Sequence, residues 1–134
     1  MRTAMLPLFA RLPAVALLVA VVGEVRADVT FLHRAQLYPT DIEPFATGRV
    51  FDYETVGYPF NAGLAVHVRN ISTTDSVDVL INNEYLATIP LMDGSGDMEL
   101  MGQLYTDVPF INHGDVVDIV NSYDGTLLLE GIFN

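Results

Sequence analysis

Apolar and polar residues alternate along most of the chain beyond residue 27. Between Ala62 and Asn70, Leu64, Val66 and Val68 fall on one side of an extended backbone, and Ala65, His67 and Arg69 on the other. Ser76 to Asn82 repeats the pattern, with Val77, Val79 and Ile81 inward and Asp78 and Leu80 outward. Val116 to Ser122 and Thr126 to Phe133 read as two further strands joined by Tyr123-Asp124-Gly125; Asp-Gly between alternating runs is a strong hairpin signal. Asn82-Asn83 marks a second hairpin, because Asn tolerates left-handed conformations. Asp93-Gly94-Ser95-Gly96 marks a third, leading into Asp97 to Leu100. Val29 to Leu37 and Gly48 to Glu54 supply the early strands, and Pro39 to Pro44 and Gly102 to Gly114 the longest loops. In the last strand Leu127, Leu129 and Gly131 alternate with Leu128, Glu130 and Ile132, which predicts one buried face and one partly covered. No stretch here keeps a 3.6-residue apolar period for three turns. The pattern predicts a single antiparallel all-β domain over residues 28–134, with seven or eight strands, in a sandwich or barrel.

The first 27 residues read differently. Arg2 and Arg11 give a positive start, Leu12 to Val22 is apolar apart from Pro13, and Val25-Arg26-Ala27 presents small residues at the −3 and −1 positions of a cleavage site. Residues 1–27 therefore read as a signal peptide, and the apolar run is shorter than the ~20 residues of a spanning helix. The expectation is a secreted, periplasmic or cell-envelope protein with no membrane span after cleavage.

Composition narrows the function. From Asp28 onward three arginines (Arg34, Arg49, Arg69) face sixteen carboxylates, with no lysine, for a net charge of −13. Such a balance argues against nucleic acid and anionic membranes as partners. There is no Cys, hence no disulfide, no cysteine zinc site and no cysteine nucleophile. No Gly-x-Ser-x-Gly elbow, His-Glu-x-x-His or phosphate loop is present, so the chain is not expected to be an enzyme, and no catalytic residue is assigned.

The strongest metal candidate is the turn at Asp93, where Asp93, Ser95, Asp97 and Glu99 place oxygens on alternating residues as Ca²⁺ coordination requires. Met98 and Leu104 occupy the places where a 12-residue EF-hand loop needs Gly and a bidentate Glu, so a Gly-rich turn with solvated carboxylates competes with that reading. His33, His67 and His113 lie far apart in sequence, and Met92, Met98 and Met101 read as core packing. Phe31, Tyr38, Phe45, Phe51, Tyr53, Tyr58 and Phe60 crowd the first half, where exposed rings would stack on sugars and buried ones would cover the end of a small sandwich.

The segments Val77 to Asn82, Leu86 to Leu91, Gly94 to Leu100, Val108 to Ile111, Gly114 to Val117 and Gly125 to Phe133 resemble a short β-rich domain of secreted bacterial proteins of unassigned function. Leu37 to Gly48, with Glu43-Pro44 and Ala46-Thr47-Gly48, is similar to the opening of chordin-type (CHRD) β domains, without their His-x-His segment. The resemblance implies an immunoglobulin-like β-sandwich in a secreted setting and carries over no catalytic or binding residue. The expected function is a non-catalytic structural or interaction module of the cell envelope or exterior, with a protein or cell-surface partner. The alternative is a ligand-binding module for calcium or carbohydrate.

Overall fold

The computed structural model describes residues 28–56 and 62–134; the expected signal peptide, Tyr58 and Phe60 lie outside the described residues. Of the described residues, 29–55 and 62–134 belong to one compact unit, which holds the sheet. No helix among the described residues is long and apolar enough to cross a membrane.

Among the described residues eight strands form: β1 (Asp28–Pro39), β2 (Thr47–Val56), β3 (Ala62–Arg69), β4 (Ser76–Ile81), β5 (Glu84–Pro90), β6 (Gly96–Gly102), β7 (Val116–Asn121) and β8 (Leu127–Ile132). They lie in the order β5-β4-β7-β8-β1-β2-β3-β6. The β1–β8, β2–β3, β3–β6, β4–β5, β4–β7 and β7–β8 ladders are antiparallel. β1 belongs to both halves, because Tyr38 and Pro39 pair with Glu130 and Leu129 of β8 while β2 lies along its other side. The two edge strands, β5 and β6, are consecutive in the chain and touch, so the sheet rolls into a nearly closed barrel. An immunoglobulin sandwich puts its second and third strands in opposite layers. Here β2 pairs directly with β3, from Thr47↔Arg69 to Glu54↔Ala62.

The alternating positions act as the sequence requires. Val50, Leu64, Val66, Val68, Val77, Val79, Val117 and Ile119 are fully buried in one core that also takes Leu37, Ile89 and Phe133. Each such side chain contributes roughly 1.5–3 kcal/mol through lost apolar exposure. Because the two halves share this core, their outer faces point away from each other.

Three local features depart from simple alternation. Asp93 and Gly94 both take left-handed φ (52° and 80°), and Met92 and Ser95 exchange backbone hydrogen bonds of 2.9 and 3.0 Å. Yet β5 then stays on β4 while β6 joins β3, so this turn is a crossover between the halves and not a hairpin between neighbours. In β8, a register shift opposite Ile119/Val120 leaves Leu128 without a partner in β7, and both Leu128 and Leu129 are buried. The expected strict alternation of the last strand is thus broken by a bulge, which turns two successive side chains inward. Among the methionines, Met98 packs on the core, but Met92 is 79% exposed and Met101 half exposed, because the crossover carries Met92 off the sheet.

Candidate functional site

The outer face of β2, β3 and β6 gathers the basic side chains. Cross-strand rows place Arg49, His67 and Asp97 side by side, then Phe51, Ala65 and Glu99, then Tyr53, Gly63 and Met101. Arg34 of β1 reaches the same place. Its guanidinium lies 5.5 Å from the centre of the Phe51 ring, and that of Arg49 lies 5.6 Å away. The edges of Phe51 meet Phe31 and His67 at centroid distances of 5.7 and 6.3 Å. Phe51 is thus a platform that holds two guanidinium groups by cation–π attraction.

The lower end of this face is pinned by Asp97. It bonds His67 Nδ1 at 2.6 Å and accepts from Arg69 Nη1 at 2.9 Å. Burial alone would raise the Asp97 pKa, but the hydrogen bonds and charges of His67 and Arg69 outweigh it and hold the carboxyl below its ordinary value. At the other end Tyr53 lies flat across Gly63, where a Cβ would fall 2.0 Å from the ring. The Tyr53 hydroxyl donates to Glu99. Burial, then the Glu99 carboxylate, push the Tyr53 hydroxyl well above its ordinary pKa, so it stays protonated.

A hollow of about 260 Å³, lined by Gln36, Thr47, Gly48, Arg49, His67 and Arg69, opens beside Phe51. Arg34, Arg49 and Arg69 are all the arginines beyond residue 27. Among the described residues Arg69 is paired with Asp97, whereas Arg34 and Arg49 have no carboxylate partner. Two unpaired, aromatic-held guanidiniums are built to receive carboxylate, sulfate or phosphate oxygens, which they can bind bidentately.

The residues singled out for calcium go to different places. Asp97 and Glu99 lie on this basic face, engaged by His67 with Arg69 and by Tyr53. Asp93 sits in the crossover turn and lines an open hollow of about 730 Å³ with Glu43, Phe45 and Asp75, and Ser95 closes the turn through its backbone. Among the described residues no three His, Cys, Asp or Glu side chains are grouped to hold a metal. The histidines also separate: His33 bonds the buried Asp52 at 3.1 Å, His67 bonds Asp97, and His113 lies in a loop. Of the early aromatics, Phe31, Tyr38 and Phe45 are exposed and Tyr53 is buried.

Two carboxylate sites escaped the sequence. Glu43, only 2% exposed, accepts hydrogen bonds from the backbone N–H groups of Ser72 and Thr73 (2.9 and 2.6 Å) and from both hydroxyls (3.1 and 2.5 Å). The run Ser72-Thr73-Thr74 offers donors, but nothing in the sequence places Glu43 beside it. On the outer face of the other half, one cross-strand row reads Tyr85, Leu80, Asp118, Glu130, Tyr38. Its two carboxylates are direct neighbours. Burial, followed by a hydrogen bond with and repulsion from Glu130, raises Asp118 to about 6, and Asp118 Oδ1 is hidden without a partner. Tyr38 and Tyr85, 66% and 63% exposed, stand at the ends of the row.

Compared with known proteins, the chain matches no family model, no curated sequence and no solved structure, so the chemistry of these two faces is what speaks to function.

Proposed function

We propose that the protein is a secreted, non-catalytic interaction module that engages carboxylate-bearing surfaces through the outer face of β1, β2 and β3. The observation that carries this reading is the convergence of Arg34, Arg49 and His67 about Phe51, with Arg69 lining the hollow beside Arg49 and His67, in a chain that is otherwise strongly acidic. Scattered arginines would serve solubility equally well. Held together on one aromatic platform, Arg34 and Arg49 make a single positive patch whose field favours anions over the rest of the surface. In this reading the two halves of the barrel act as the layers of a flattened sandwich, each presenting one outer face, and the leader segment delivers the domain outside the cell.

The test is retention on carboxymethyl dextran against plain dextran at neutral pH. Retention on the charged matrix alone, released by salt and lost in Arg34→Ser/Arg49→Ser, supports the reading. A net-acidic protein should otherwise be repelled by that matrix, so equal passage through both columns counts against it.

A further inference from the structure

The outer face of β4, β7, β8 and the end of β1 is the chemical counterpart of the basic one. Asp118 and Glu130 lie side by side at its middle, with Asp78 one row away. Around them stand Leu80, Val116, Val120, Leu127 and Ile132, all at outward positions of their strands. Two adjacent carboxylates at the centre of an apolar sheet face repel each other, and although Asp118 Oδ1 is hidden, Asp118 is only half-buried and Glu130 is exposed, so the pair is open to a donor from outside. The donor that fits is a guanidinium, which can span two carboxylates with its fork of N–H groups. The only guanidiniums of this domain without a carboxylate partner among the described residues, Arg34 and Arg49, lie on the face that points the other way, beside the exposed ring of Phe31.

We infer that the carboxylate pair Asp118–Glu130 of one molecule docks onto Arg34 and Arg49 of a second copy, so that the domain associates head to tail. This rests on the proposed use of the basic face and names its occupant. The two contact surfaces are different patches, so the interface is heterologous and each molecule added leaves both a free basic and a free acidic face; association therefore continues into chains unless the rotation closes a ring. Apolar contact between Leu80, Val120 and Leu127 and the aromatic patch around Phe51 supplies non-polar burial, and the charges fix the register. The shared proton of the pair gives the association a pH dependence. As pH falls through about 6, Asp118 becomes neutral, the acceptor face loses charge, and association weakens.

The experiment is sedimentation velocity of the full purified protein across a wide concentration range, at low and high salt, with two variants. Asp118→Asn/Glu130→Gln removes the acidic patch, and Arg34→Ser/Arg49→Ser the basic one. The wild type should form concentration-dependent oligomers that dissociate in salt, each variant alone should associate at least about tenfold more weakly, and an equimolar mixture of the two variants should form a one-to-one dimer. That rescue occurs because one variant keeps the basic face and the other the acidic face. Near-ultraviolet circular dichroism of each variant confirms that it folds. A wild type that stays monomeric overturns the inference, whether or not a neutral oligosaccharide binds the Tyr38–Tyr85 row. A dimer that both variants lose but mixing does not restore is isologous and overturns it as well. Retention of the monomeric protein on carboxymethyl dextran would leave the proposed function standing while this inference falls, and failure of both assays would remove both.

Discussion

At the scale of single residues, environment decides what a carboxylate does, and Glu43 and Asp118 are opposite cases. Glu43 is buried, and burial alone would raise its pKa; the hydrogen bonds from Thr73 and Ser72 outweigh that and lower it. Its folded-state pKa therefore lies below the unfolded value of about 4.3. The stability it contributes is complete above that pH and is lost as pH falls through the folded pKa. Glu43→Ala should cost about 1.5–3 kcal/mol at neutral pH, and urea titrations should show a flatter loss of stability below about pH 4 than in the wild type. For Asp118 the sign reverses. Its folded pKa, about 6, lies above its unfolded value, so the folded state binds the extra proton and stability rises as pH falls toward 5. Asp118→Asn should stabilise the protein at pH 7.5 by about 1 kcal/mol, a figure discounted for solvent screening, and should abolish the stability gain between pH 7.5 and 5. A variant no more stable than wild type at pH 7.5 would contradict this assignment. Neither role was legible in the sequence, because both depend on neighbours far away along the chain: Ser72 and Thr73 for Glu43, and a register-specified Glu130 for Asp118.

At the scale of strands, alternation and turn chemistry were legible, and pairing partners were not. Val77, Val79 and Ile81, and Leu64, Val66 and Val68, face the core as their spacing demands, and Asn82 and Asn83 take left-handed φ of 50° and 67° at the tight turn. The Asp93-Gly94 turn was equally visible as a turn, but its local geometry does not say whether the next strand folds back or crosses over. That choice is made by the apolar face of β6, which fits β3. The calcium candidates followed the turn and were separated when β6 carried Asp97 and Glu99 onto the basic face. Gly63 shows the reverse dependence, a glycine whose missing side chain is occupied by a cross-strand ring. Gly63→Ala would put a methyl group 2.0 Å from Tyr53 and force the ring off its seat. The expected loss is about 1–3 kcal/mol. It should shrink markedly in a Tyr53→Ala background, since the two substitutions disturb one contact, and a urea-denaturation double-mutant cycle reads the coupling. Additive losses would show that the ring does not depend on the glycine.

At the scale of the whole molecule, closure depends on the last few residues. β8 lies between β7 and β1 in the middle of the strand order, and beyond it Phe133 is fully buried. Its backbone N–H donates to Asp115 at 2.9 Å, its carbonyl accepts from Gly114 at 2.7 Å, and Asn134 N–H donates to Arg34 at 3.0 Å. Gly131 is needed in the same region because the Gln36 carbonyl passes 2.4 Å from where a Cβ would stand, so β1 and β8 approach at backbone contact. The segment therefore ties together the strands that join the two halves. Removing a buried phenylalanine costs about 3–5 kcal/mol, which is a large share of the roughly 5–15 kcal/mol that holds a domain folded. Truncation after Glu130 removes Phe133 together with the Gly131 contact and should abolish cooperative melting, whereas Phe133→Ala alone should lower the midpoint and keep the transition. Salt gives an independent measure of the margin. Sixteen carboxylates against three arginines repel one another at neutral pH, so the Phe133→Ala protein should gain stability as salt screens that repulsion. If the truncated chain still melts as one cooperative unit, closure of the barrel does not run through β8, and the core must be sufficient with either half left open.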